Sequence, residues 1–312
     1  MSGALHIATT PWSWSALDSA QALCRQAEQA EALGLHSLWL PENHFSGGRA
    51  IPSPITLLAA VAARTTRIKL GTTSYLLPIR NPILAAEEIA VLDRLSCGRV
   101  ILGVGRGIQP EMFEAFAVAT ADKRTLFQRH LEIMLEAWRG EPVVEREDGK
   151  PVLLSPLPAQ QPSPPIWVAA FGPLALKQAA SLGLPYLASP IESLDTLADN
   201  YRMYHEHMSN EGLSRQEVVP VMRTMFVSDS EATTRALRAR LDSAVPPAMR
   251  EKAAGIEQWS VVGDRSYVRD RLVEYRERLG VSHVILRGGL PGIEEAQEVR
   301  SQAAVLELAA AL

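Results

Sequence analysis

The chain has 312 residues, 47% hydrophobic and 21% charged, with a formal net charge of −4. That is enough apolar material for a large core without disulfides, and the mild acidity excludes the basic stripe of a nucleic-acid binder. Two cysteines, Cys24 and Cys97, are too few for a disulfide framework or a zinc site and suit a reducing, cytoplasmic setting.

The first eight residues lack the basic and long apolar regions of a secretory signal. No run of about 18 apolar residues is present to span a membrane. Short apolar runs then alternate with longer helical periods. Residues 5–9 read as a strand, followed by a helix over 18–33 with an acidic cap and Gly34 beyond its end. Strand 37–40 precedes a helix over 52–65, and strand 69–77 precedes one over 82–95. Both helices open with proline, which suits a first turn. Strand 100–104 leads to a helix over 122–139, where apolar residues at 126, 127, 131, 134, 135 and 138 keep a helical period. Strands 166–170, 186–188 and 218–227 precede helices over 173–182, 193–212 and 230–243. A helix over 266–279, strand 283–287 and a helix over 293–310 complete the chain.

Most of these strands are nearly continuous apolar runs, as strands buried on both faces should be. About eight strands with following helices predict an α/β protein, a (β/α)8 TIM barrel with rim insertions, over residues 1–312 as a single domain. The insertions are 141–165, charged and then proline-rich, and 244–260, which reads either as a mobile lid or as an inert excursion.

Barrel sites lie at the carboxyl ends of the strands. After the second strand stands Pro41-Glu42-Asn43-His44-Phe45, with His44 the candidate proton carrier or else a surface histidine. After the fourth comes Gly103-Val104-Gly105-Arg106-Gly107, either a phosphate-binding turn with an arginine fork or a tight turn with a solvated arginine. It is neither a dinucleotide fingerprint nor a Walker loop. Arg124 opposes the dipole of the helix it opens, which is tolerable where an anion is within reach. Ala170-Phe171-Gly172-Pro173 opens another helix whose free N–H groups suit phosphate. Trp12 and Trp14 either wall a pocket or cover the rim. His205 and His207, two apart on a helix, do not share a face and read as solvated rather than as metal ligands.

Several stretches together resemble the bacterial luciferase-like, two-component flavin monooxygenases. They are residues 34–45 (GLHSLWLPENHF), Leu70-Gly71-Thr72, residues 77–82 (LPIRNP), residues 88–99 (EIAVLDRLSCGR) with the 103–107 turn, and Val262-Gly263-Asp264 with 280–292. The resemblance covers nearly the whole chain and implies a barrel with flavin across its carboxyl-end mouth. It implies that Arg106 and Arg124 bind the flavin phosphate, and that the Gly172 amide does the same where relatives use serine, with Phe171 beside it. It implies a non-proline cis peptide at Thr73-Ser74 under the flavin ring. Asn43 stands where luciferases have the first, acid–base histidine, His44 keeps the second, and Gly105 replaces a reactive cysteine.

The activity so implied takes reduced FMN from a separate flavin reductase, adds dioxygen to form a flavin C4a-hydroperoxide, and oxygenates a small organic substrate. His44 positions or protonates the peroxide, and Asn43 hydrogen-bonds flavin or substrate. Arg287 contacts flavin or an acidic substrate, or else makes a rim ion pair. Trp12, Phe45, Tyr75 and Phe171 make the pocket partly apolar. A homodimer is implied, and no metal. The alternatives are a deazaflavin-dependent hydride-transfer enzyme of the same fold, a non-catalytic flavin-binding protein and a non-flavin barrel enzyme.

Overall fold

The structure is a computed structural model that describes residues 4–13, 19–47, 50–245 and 255–312. In chain order the strands are β1 (His6–Thr9), β2 (Ser37–Leu40), β3 (Lys69–Thr72), β4 (Tyr75–Leu76), β5 (Val100–Gly105), β6 (Val144–Glu145), β7 (Pro151–Val152), β8 (Ile166–Ala169), β9 (Tyr186–Leu187), β10 (Pro220–Val227), β11 (Ser260–Gly263) and β12 (His283–Leu286). The α-helices are α1 (Ala20–Leu33), α2 (Pro54–Ala62), α3 (Pro82–Leu95), α4 (Pro110–Ala115), α5 (Lys123–Trp138), α6 (Pro173–Ser181), α7 (Leu194–Asn210), α8 (Glu231–Ser243), α9 (Ile256–Trp259), α10 (Arg265–Leu279) and α11 (Glu295–Ala310). They fall into two compact units, one of Met1–Trp39 with Ala170–Leu312 and one of Leu40–Ala169.

In the first unit, β11, β10, β12, β1 and β2 follow one another as parallel strands. All four residues of β12 are buried, which suits the apolar run Val284-Ile285-Leu286 after His283. Helix α1 is capped by the Ser19 hydroxyl, which accepts from the Ala22 N–H, and it ends on Gly34 at φ 86°. The expected acidic cap, Asp18, lies outside the described residues, as do Trp14 and positions 246–254 of the expected lid. The end of that insertion is regular: α9 leads directly into β11, whose four residues are all buried. Four residues are too few to show a period among their irregular neighbours. Phe226, Leu237, Leu241, Val262 and Leu290 form a core between α8 and the sheet.

In the second unit β3, β5 and β8 are parallel neighbours, and β4 runs beside β5. The single strand expected over 69–77 is two strands, interrupted at the Thr73–Ser74 peptide, which is cis. The crossover expected to be irregular carries a small antiparallel hairpin, β6–β7, and both of its strands are exposed. Helix α3 starts as its sequence requires, with Asn81 accepting from the N–H groups of Ile83 and Leu84 at 2.9 and 3.2 Å.

Arg99 locks this unit. Its buried guanidinium donates to Ser96 O, Thr65 Oγ1, Ile68 O, Ala62 O and Thr65 O at 2.7 to 3.0 Å. The fully buried Asp93 accepts from both the backbone and side-chain N–H groups of Gln160 at 2.8 Å. Residues 93–99, part of the resemblance to the flavin monooxygenases, therefore hold strands and helices in place.

Candidate active site

Beyond the end of β2, the extended chain sends alternate side chains to opposite sides. Glu42 and His44 share one side and Asn43 takes the other. The Glu42 carboxylate is buried and accepts three bonds: from Leu76 N–H at 2.9 Å, from Arg80 Nη2 at 2.7 Å and from His44 Nε2 at 2.8 Å. Arg80 also donates to Leu76 O at 2.8 Å and lies over the Tyr75 ring at 4.0 Å. The Tyr75 hydroxyl donates to Glu88 at 2.9 Å, and burial holds its proton on well above the usual tyrosine range. With Nε2–H donating to Glu42, the neutral His44 ring keeps its lone pair on Nδ1. The ring meets Phe116 edge-on at 5.0 Å, and Phe45 lies 5.9 Å away. An imidazole oriented by a buried carboxylate is the arrangement of a general acid–base pair.

Asn43 has a different local task. Its backbone exchanges two bonds of 3.1 Å with Ile51, and its Oδ1 accepts from the Ile51 N–H at 2.9 Å. The side-chain acceptor is thus committed to fixing the loop, and what Asn43 offers a ligand is its amide donor.

Next to this pair lie the ends of β3 and β5. The Thr73 N–H donates to Leu40 O at 2.8 Å, and the Thr72 hydroxyl to Gly103 O at 2.7 Å. A side chain on Gly105 would place its Cβ 2.0 Å from Ser74 Oγ, so glycine here is a packing requirement. The Thr73 hydroxyl is buried without a hydrogen-bond partner. Such a group costs about 1–3 kcal/mol, and a ligand carrying ring nitrogens and carbonyls relieves it. The residues at this point fit a flavin ring.

Arg106 follows β5, while Lys123 and Arg124 open α5. Burial, with Arg124 adding to it, lowers the Arg106 guanidinium to about 10. Lys123 is lowered by burial and then by both arginines. Arg106 lies 6.0 Å from the Phe127 ring centre and Lys123 lies 5.6 Å from that of Phe113. Three cations crowded at a helix start, where the dipole already repels them, make a strongly positive locus that fits a phosphate. The structure brings together the two arginines read from the sequence and adds Lys123.

The remaining candidates belong to the other unit. Gly172 caps α6 at φ 82° with Pro173 following, and Phe171 is exposed. Trp12 is buried, and its indole N–H has no partner. Arg287 donates to Thr224 Oγ1 at 3.5 Å, and burial lowers its guanidinium.

The sequence alone does not mark Glu42 or Arg80 as site residues, although the Glu-x-His spacing after a strand places the Glu42 and His44 side chains on one side. The order of Pro82, α3 and β5 gives no sign that Arg80 turns back toward Glu42.

The fold is shared with solved oxygenases. A monooxygenase of Streptomyces bottropensis, RslO1, superposes with a TM-score of 0.78 at 26% identity over 98% of each chain. The oxygenating constituent of 3,6-diketocamphane monooxygenase from Pseudomonas putida, solved with FMN, gives a TM-score of 0.82 at 20% identity over 99% of this chain and 98% of that one. The architecture is the (β/α)8 barrel of luciferase-like monooxygenases. Residues 2–283 match the family profile described as luciferase-like monooxygenase, and the chain belongs to that family. The oxygenase component of flavin-dependent trigonelline monooxygenase from Acinetobacter baylyi is 29% identical over 67% of this chain and 59% of its own length. An F420-dependent secondary alcohol dehydrogenase shares the fold, with a TM-score of 0.78 at 16% identity over 98% of this chain and 99% of that one.

Proposed function

We propose that the protein is the oxygenase component of a two-component system. It accepts reduced FMN from a separate flavin reductase and uses dioxygen to oxygenate a small organic substrate. The observation that carries this reading is the convergence of Arg106, Lys123 and Arg124 behind a strand end whose neighbours include the buried Glu42–His44 pair. When bound, reduced FMN supplies two electrons that divide dioxygen between substrate and water. Arg106, Arg124 and Lys123 hold the phosphate, while Thr73, Ser74 and Gly105 lie against the ring. His44, oriented by Glu42, moves a proton at Nδ1. Asn43 donates its amide to flavin or substrate. In the other unit, the Gly172 N–H suits a phosphate oxygen, with Phe171 as its apolar neighbour. The exposed Cys97 thiol suits a reducing cytoplasm.

A homodimer is part of the proposal. Leu84, Val91 and Leu95 are exposed on α3 and, at spacings of seven and four, share one helical face. A second copy of the chain is the occupant that such a stripe suits.

Fluorescence titration with FMN and with F420, followed by oxygen uptake with photoreduced FMN over a substrate panel, tests the reading. Tight FMN binding with substrate-dependent oxygen uptake supports it. Preferential F420 binding with hydride transfer and no oxygen use replaces it with the deazaflavin reading. Flavin binding without any turnover leaves a flavin carrier.

A further inference from the structure

We propose that His6, His36 and His283 form a binding site for a divalent transition metal of the zinc or nickel kind. Three of the chain's seven histidines meet here. His6 begins β1 and His283 begins β12, where the two are register partners. His36 stands one residue before β2, with its N–H donating to Ile7 O at 2.7 Å. Adjacent parallel strands thus deliver three imidazoles to their amino-terminal ends. Ring centres lie 4.5, 4.7 and 5.0 Å apart, and one ring nitrogen from each lies within 4.8 Å of the others. Tetrahedral coordination at about 2.1 Å needs nitrogens roughly 3.4 Å apart, which modest side-chain rotation reaches.

The surrounding hydroxyls are placed to support coordination. His36 Nδ1 lies 3.0 Å from Ser37 Oγ, and His283 Nδ1 lies 2.8 Å from Ser282 Oγ. Each hydroxyl oxygen takes part in one further bond: Ser37 Oγ accepts from Trp39 Nε1 and Ser282 Oγ from the Val219 N–H, both at 2.8 Å. Each keeps a second lone pair for an Nδ1–H donor. Where Nδ1–H donates to the hydroxyl, Nε2 is the coordinating atom, the usual outer support of a metal-bound histidine. Imidazole donors with no carboxylate among them select zinc, nickel or copper over magnesium or calcium. A metal here staples β12 to β1 and β2, a stabilising role at the strand end where barrels seldom carry catalysis.

The test is calorimetric titration of the EDTA-treated full chain with ZnCl2, with MgCl2 as control. Co2+ serves as a spectroscopic probe. One zinc per chain, ligand-field bands with cobalt and a higher unfolding midpoint with zinc are expected. His6→Gln, His36→Gln and His283→Gln should each weaken zinc at least tenfold while far-UV circular dichroism is kept. In the unaltered protein, zinc should shield these three histidines from diethyl pyrocarbonate, mapped by peptide mass spectrometry. That arm does not depend on the variants folding. Absence of saturable binding, unchanged affinity in a folded His6→Gln/His36→Gln variant, or unshielded histidines would overturn the site.

Discussion

At the scale of single residues, the consequences lie in how charge is held. His44 is oriented by Glu42, so replacing it with alanine removes the proton carrier and leaves the cation cluster intact. Flavin affinity should stay within about twofold while kcat falls roughly 10²- to 10⁴-fold, the usual worth of general acid–base catalysis. Unchanged turnover in a steady-state oxygen assay removes His44 from the mechanism. Arg106→Met acts the other way. Losing a charge-assisted bond worth about 1.5–3 kcal/mol should weaken FMN roughly 10- to 100-fold. Because burial and Arg124 bring the Arg106 guanidinium down to about 10, FMN affinity should hold through neutral pH and fall as pH rises through that value. A bound phosphate favours the charged form, so binding takes up a proton there. A flat affinity profile from about pH 8 to about pH 11 by fluorescence quenching would mean that the Arg106 guanidinium keeps its proton throughout, and the Arg106→Met affinity then decides its role as the phosphate ligand. The sequence marks Arg106 and Arg124 as candidates because one follows a glycine-rich turn and the other opposes a helix dipole. It does not mark Lys123, since a lysine at a helix start is ordinarily a solvated charge. Glu42 and Arg80 are joined only by folding.

At the scale of elements, sequence pattern located helices closely and strands less so. Helix α3 runs over the expected residues because Pro82 and the Asn81 cap fix its start. Strand 69–77 divides at Thr73–Ser74, the point at which the resemblance implied a cis peptide. β11 is not legible because only Val261 and Val262 are apolar, between Ser260 and Gly263, at the end of a stretch without a period. Helix α3 also carries the proposed dimer stripe. Val91→Glu puts a charge at its centre, and sedimentation velocity should then show monomer where the unaltered chain shows dimer. An unchanged dimer places the interface elsewhere. Arg99 ties α2, the chain before β3 and the end of α3 through five bonds. Arg99→Met leaves those acceptors buried without donors and should cost about 3–5 kcal/mol in urea unfolding. A loss under about 1 kcal/mol would mean that the network is incidental.

For the molecule as a whole, alternation of buried strands with amphipathic helices was enough to read the barrel class. Its pH response was not legible, because it depends on a glutamate that looks like an ordinary helix residue. Glu298 lies in α11, 2% exposed, and its carboxylate accepts from the N–H groups of Gly289 and Leu290. Those bonds favour the charged form, but burial outweighs them, and Glu295 adds repulsion, so the carboxyl is raised from 4.5 to about 7. A raised folded-state value means that protonation is favoured by folding. The stability this group contributes is fully present below about pH 4.5 and is lost as pH rises through about 7. Over that interval the loss is on the order of 3 kcal/mol. The substitution Glu298→Gln retains one carbonyl acceptor at this position and cannot ionise. Between about pH 5 and about pH 8 this variant should therefore lose several degrees less of its unfolding midpoint than the unaltered protein, the two converging toward the acid end. Parallel midpoint curves across that range would show that the Gly289–Leu290 loop holds a charged carboxylate without cost, and that the bonds from its two N–H groups fully offset burial.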